Sequence, residues 1–196
     1  DFKVDKVIPA DPVFNYRNKM EFTFSKNRWI LDDEPDKVKS DFALGMHIPK
    51  RWDKILDINT CYLMPEVGSK IINFVRDLAK KSKLKPYDQR SHIGFLRYLA
   101  LRYGENTKEL MVNIVTSYED LDTLVPFVQS LVDEFPEVTS VVNNINTRKA
   151  DVSFGEREIL LFGKPILNEK LKELNFQISA NSFFQTNSFM AEKLYD

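Results

Sequence analysis

The sequence is poor in the residues that most often mark a metal or nucleotide site. It has one cysteine, two histidines and six glycines in 196 residues. A single cysteine excludes a disulfide framework within the chain and fits a reducing compartment. The glycines fall into no GxGxxG or Walker spacing, so no glycine-rich phosphate cradle is present. His47 and His92 match no HExxH, triad or zinc spacing and read as ordinary surface or hydrogen-bonded residues. No apolar run approaches the roughly 18–20 residues of a membrane span. Residues 1–6 alternate charged and apolar side chains, unlike a secretory leader. A soluble, cytoplasmic protein, acting as a monomer, is the expectation.

What is abundant is apolar surface. Hydrophobic residues make up 43% of the chain and include 15 Phe and 7 Tyr, enough for one sizeable core and too many for a disordered chain. The formal net charge is only −1. Its distribution is lopsided: residues 1–102 hold 20 Lys+Arg against 14 Asp+Glu, and residues 103–196 hold 8 against 15. Such a split suits either a polyanion-facing half or plain surface decoration.

Periodicity predicts an α+β fold. Residues 16–25 alternate Tyr16, Asn18, Met20, Phe22 and Phe24 against Arg17, Lys19, Glu21 and Thr23, the pattern of a half-buried strand. The acidic turn at 32–36 precedes strand candidates at 41–47 and 54–58. Pro65 then opens a helix with Val67, Ile71, Ile72, Val75 and Leu78 at helical spacing, ending in the basic run 80–83. Residues 96–103 and 110–116 form a predicted hairpin, and a helix with an acidic first turn follows over 121–135. Further strands are predicted at 138–145, 158–162 and 174–178. Together these describe a mixed, mostly antiparallel sheet with two main helices on one face.

The ends carry an expectation of their own. Asp1 is not an initiator methionine, and the amphipathic run 187–195 reaches Asp196 without a glycine or proline stop. The expectation is a piece of a longer protein, with its last segment frayed or borrowed by a neighbouring molecule.

Four segments are more specific than any composition. They are YRNKMEF at 16–22, ILDINTCYLMPE at 55–66, GFLRYLALR at 94–102 and SFFQTNSFMAEKLY at 182–195. In order and spacing the chain resembles the S-adenosylmethionine-dependent RNA (uracil-5-)-methyltransferases, which modify uridine in ribosomal or transfer RNA. The resemblance covers nearly the whole sequence. It implies that residues 1–174 are the central α/β domain of such an enzyme, and 175–196 the start of a Rossmann-like, S-adenosylmethionine-binding catalytic domain. In the family a nucleophilic cysteine attacks C6 of the uracil, C5 takes the methyl group, and a carboxylate assists loss of the C5 proton. Both groups lie in motifs beyond FFQTN, so this chain alone is expected not to catalyse.

The resemblance also assigns residues. Gln185 in FFQTN matches the glutamine that helps bind S-adenosylmethionine, although an amide there could equally serve the following helix. Phe183 is a candidate aromatic platform near an extruded base, or else a core phenylalanine. Cys61 matches the position that in many relatives looks like the fourth ligand of a [4Fe–4S] cluster. Such a cluster needs four thiolates, and the other three would have to lie before Asp1. The plain alternative is a buried thiol acting as a small hydrophobe. The Cys61 context favours ribosomal over transfer RNA as the target.

Arg17 and Lys19 share one strand face and are candidate phosphate contacts, as is Arg97 if its strand alternates. Lys50 and Arg51, with Lys54, form a basic knot beside Trp52, whose indole is a candidate platform for a base. For each, solvated surface charge is the competing reading. The acidic helix at 119–135 reads as structural and turned away from RNA. Two rivals stay open: an autonomous RNA-binding module, and a protein-interaction domain whose acidic helix docks a partner.

Overall fold

The computed structural model describes residues 2–3, 6–35, 39 and 41–195, and of Trp52 only the backbone. The stacking expected of Trp52, and Asp36 at the end of the acidic turn, therefore lie outside the described residues.

Alternation builds β1 (Lys19–Ser25): Met20, Phe22 and Phe24 are buried, and the residues between them are half-buried on the other face. Antiparallel to β1 lie β2 (Ala43–Ile48), which turns into β3 (Arg51–Asp57), and on the other side β4 (Leu96–Tyr103). β4 forms a hairpin with β5 (Leu110–Thr116). The helix α2 (Leu121–Glu134) then crosses over, so that β6 (Val138–Ile145) joins β5 in parallel, and β7 (Arg157–Gly163) pairs antiparallel at the edge. The sheet order is β3-β2-β1-β4-β5-β6-β7.

Both long helices cover one face. α1 (Glu66–Lys81) begins after Pro65 and buries Ile71, Ile72, Val75 and Ala79, while α2, capped by the Asp120 carboxylate on Thr123 N, buries Leu124, Phe127, Val128 and Leu131. They pack on the Phe22, Phe24, Leu99, Leu101, Val112 and Ile114 side of the sheet. Phe74 and Phe135 meet edge to face with centroids 5.4 Å apart. Each fully buried Leu or Phe here contributes roughly 1.5–3 kcal/mol relative to exposure. The fold is thus the expected α+β arrangement with a mostly antiparallel sheet.

The opposite face is partly covered by a hairpin of β8 (Ile166–Leu171) and β9 (Leu174–Ser179), whose Leu167 and Ile178 close a small cluster with Met111, Val142 and Ala180. β8 goes beyond the predicted strands, because its six residues include Asn168, Glu169 and Lys170 and resemble a polar loop. The expected division between residues 174 and 175 falls inside this hairpin. A short helix, α3 (Ser188–Leu194), follows, capped by the Asn187 side chain on Met190 N. The expectation of a frayed terminal segment is corrected: α3 is formed and is tied to β1 and β8 by the buried polar groups described next.

Candidate functional site

Residues from both ends of the chain enclose an open cleft of about 490 Å3 at the Lys19 end of β1. Arg17, Lys19 and Glu21 supply its charged wall, Met20, Met46 and Leu63 its apolar floor, and residues 182–184 with Thr186 its rim. Arg17 and Lys19 do share a face, as the alternation required. Lys19 pairs with Glu21 at 2.5 Å, and Ser153 Oγ donates to the same carboxylate at 2.7 Å. Burial pushes the Glu21 carboxyl up, but the Lys19 and Ser153 hydrogen bonds outweigh it and hold the group below its ordinary value. Arg17 is held by two backbone carbonyls, its Nε donating to Lys19 O at 2.9 Å and its N–H to Leu63 O at 2.7 Å.

The rim is held by polar groups inside the sheet. Arg102, on β4, is 4% exposed and donates from Nε to Ala180 O at 3.1 Å and from a terminal nitrogen to Ser182 O. Burial pushes its pKa down, with Glu21 opposing. Asn18 sits on the apolar side of β1, where its amide donates to Gln185 O at 2.8 Å and Ser188 Oγ at 2.9 Å. Its backbone N–H donates to Thr186 O. Ser188 Oγ donates in turn to Glu169, whose carboxylate also accepts from the N–H groups of Glu105 and Asn106. Neither Asn18 nor Arg102 was among the candidate residues. The available signal was a polar side chain on the buried parity of a strand: Asn18 among Met20, Phe22 and Phe24, and Arg102 in the apolar run LRYLALRY.

Phe183 lies on the cleft rim and is 87% exposed among the described residues. Its neighbour Phe184 is the packed ring, edge to face on Phe176 at 5.4 Å. Gln185 lies beside the cleft without lining it: its amide donates to the Tyr195 hydroxyl at 3.3 Å, and its side-chain oxygen has no partner among the described residues. A half-exposed carboxamide with an open acceptor fits a ribose hydroxyl or an ammonium group. The described residues supply no other wall for such a ligand. Lys50 and Arg51 occupy the β2–β3 turn, and the β1–β2 register carries that turn toward the Lys19 end of the sheet. Arg51 is engaged by Asp53 at 2.9 and 3.2 Å and lies over Trp29.

One expectation is corrected. Arg97 is not a surface cation: it is 1% exposed and donates to the carbonyls of Asn146, Arg148 and Ala150, with its guanidinium over the Tyr87 ring. GFLRYLALR does not alternate in the required sense because β4 is central and buried on both faces. Cys61 is 8% exposed within the core cluster, and its N–H donates to Ser69 Oγ. No group of three or more metal-ligating side chains occurs among the described residues, so one thiol cannot hold an iron–sulfur cluster from this chain's residues. Among the same residues no helix is long and apolar enough to cross a membrane.

No family model matches the chain. Relatives do. A Chlorobaculum tepidum protein described as an uncharacterized RNA methyltransferase is 44% identical over 98% of this chain and 41% of its own length. One from Porphyromonas gingivalis, described likewise, is 36% identical over 98% of this chain and 43% of its own. Among solved structures, the Pyrococcus abyssi tRNA (uracil-54, C5)-methyltransferase in complex with S-adenosyl-L-homocysteine superposes with a TM-score of 0.74 and 30% identity, covering 96% of this chain and 41% of that one. The chain thus spans about two fifths of the length of the relatives it matches. With three of the four motif segments lining one cleft and the fold shared, the chain belongs to the RNA methyltransferase family.

Proposed function

We propose that this chain is the RNA-holding part of an enzyme that transfers a methyl group from S-adenosylmethionine to C5 of a uridine in structured RNA. The observation that carries the reading is the placement of residues 182–186: Arg102 and Asn18 fix their carbonyls, so that Phe183 stands over a cleft walled by Arg17 and Lys19. C5 and C6 of a stacked uridine are shielded, so the base must be turned out of its helix before reaction. An exposed ring beside two cations suits that task, the ring stacking on a base and the cations holding its phosphates. Lys50 and Arg51 extend the basic edge at the same end of the sheet.

S-adenosylmethionine, when bound, supplies the electrophilic methyl group, and Gln185 offers its open carboxamide to that ligand. The chain supplies no accessible thiol, since Cys61 is in the core. On this reading the family's nucleophile and base belong to motifs that follow FFQTN, and residues 1–196 alone are proposed not to catalyse.

Ribosomal RNA is the proposed target, on the motif context around Cys61. A second reading, transfer RNA, is favoured by the named activity of the superposable Pyrococcus abyssi enzyme. The test supplies labelled S-adenosylmethionine and both RNAs, unmodified, to the complete protein and to residues 1–196. The expected result is 5-methyluridine in ribosomal RNA from the complete protein and none from the shorter chain. Label in transfer RNA alone selects the second reading. A folded complete protein that methylates neither RNA overturns both.

A further inference from the structure

A second surface lies beyond the other end of β4. Tyr118 is 51% exposed and packs on buried Phe95 with ring centroids 4.9 Å apart, and Ile93, 69% exposed, stands beside it. Two hollows share this ridge. One, of about 410 Å3, is flanked by Lys83 and Lys85; the other, of about 370 Å3, by Lys149 and His92. None of Lys83, Lys85 and Lys149 pairs with a carboxylate among the described residues. This places RNA beside the first turn of the helix expected to face away from it, but the one carboxylate in the first hollow, Asp120, already accepts from Thr123 N and Oγ1, and exposed Glu119 is paired with Arg157.

The ridge is prebuilt. Lys83 and His92 hold φ of 55° and 58°, and Gly94 holds φ of 126°, where an added Cβ would lie 2.1 Å from Pro86 O. The three loops are tied together: Phe95 N and Leu96 N donate to Lys85 O, and Ser117 Oγ donates to Gly94 O. Buried Arg97 accounts for the third cation, because the carbonyls it holds at Arg148 and Ala150 flank Lys149. A guanidinium expected at the surface instead positions the loop that carries a surface lysine.

A fixed, half-exposed aromatic ring with cations on both sides matches single-stranded RNA: the base stacks on the ring and neighbouring phosphates lie on the lysines. We propose that Tyr118, with Lys83, Lys85 and Lys149, is a second RNA-contact site that grips an unpaired nucleotide away from the target uridine. It deepens the RNA reading above and rests on it. Seven residue steps along β4 separate Phe95 from Arg102, where the cleft lies, about 23 Å of extended strand. The bound RNA must therefore be folded widely enough to reach both places.

The test measures binding of unmodified ribosomal RNA to the complete protein across a salt series, together with methyl transfer. Three proteins are compared with the parent: Lys83→Asn/Lys85→Gln, in which asparagine tolerates the left-handed backbone, Tyr118→Ala, and Tyr118→Phe. The double variant is expected to bind at least 10-fold more weakly at low salt, with the slope of log K against log salt reduced by about 1 per lysine. Tyr118→Ala is expected to lose about 10-fold at all salts, Tyr118→Phe to bind like the parent, and KM to rise with kcat unchanged. Parental affinity and salt slope in the double variant and in Tyr118→Ala would overturn the site while leaving methyl transfer standing. The same applies if the variants alter only molecular mass in solution, which would make the ridge a protein contact. A parent protein that binds no RNA fails both readings together.

Discussion

The Asn18 amide donates to Ser188 Oγ at 2.9 Å across 170 residues of sequence, joining the first strand of the sheet to the helix that ends the described chain. The same amide group holds Gln185 O, so one buried side chain fixes both the carbonyl of the motif glutamine and the start of α3. Asn18→Ala leaves both acceptors without their donor in a buried place, at a cost of about 1–3 kcal/mol. Hydrogen exchange should show residues 182–190 losing protection while α1 and β5 keep theirs. Uniform loss throughout the chain would contradict a local role.

Arg97 and Arg102 are both buried cations on β4 that hold carbonyls, yet they serve different ends of the molecule. Arg97→Met is expected to destabilise the fold by about 3 kcal/mol, because three carbonyl acceptors lose a charged donor. Denaturant titration measures this. Arg102→Met is expected to free residues 180–182 and raise KM for RNA, with less effect on the midpoint of unfolding.

Phe183 and Phe184 make a sharper contrast. Phe183→Ala removes a ring that touches little, so stability should stay within about 0.5 kcal/mol of the parent. Methyl transfer, read as kcat/KM, should fall at least 10-fold in the complete protein. Phe184→Ala should do the reverse in kind, lowering the melting temperature through lost contact with Phe176.

Asp88 links stability to pH. A Lys26 hydrogen bond, aided by Ser91 Oγ and the N–H groups of Arg90 and Ser91, holds its carboxyl well below the usual range despite the opposing effect of burial. A carboxylate depressed in the folded state contributes its full stabilisation above the unfolded pKa, near 3.8, and loses it as pH falls toward the folded value. Unfolding followed from pH 5 to pH 2 should show stability dropping in this window. Asp88→Asn should be less stable at pH 5 and show a shallower drop.

How much of this was legible from residues alone depended on periodicity. β1, α1 and α2 follow from clear two- or near-four-residue spacing, β4, β5 and β6 from apolar runs of strand length, and the structure puts them close to the predicted bounds. β8 escaped because Glu169 occupies a buried position that an apolar pattern reserves for hydrophobes, and its reason for being there is the Ser188 hydroxyl and two loop N–H groups. Arg97 was misread for the matching reason. A cation in a strand was taken as solvent-facing, whereas a strand central in the sheet has no solvent face. The Tyr118 ridge was illegible because its three loops are brought together only by tertiary hydrogen bonds. Arg17, Lys19 and Phe183 were singled out separately in the sequence, and only the structure brings them to one cleft.

The strand order β3-β2-β1-β4 sets a timetable for biosynthesis. Met20 pairs with Leu101, 81 residues later, which leaves the ribosome roughly 4–16 s after it at ordinary elongation rates. Until then the inner edge of β1 is an open template and Phe22 and Phe24 lack their partners. The cleft waits about as long again, because its rim is residues 182–186. A nascent chain interrupted after β7 would carry a complete seven-stranded sheet with no rim to its cleft.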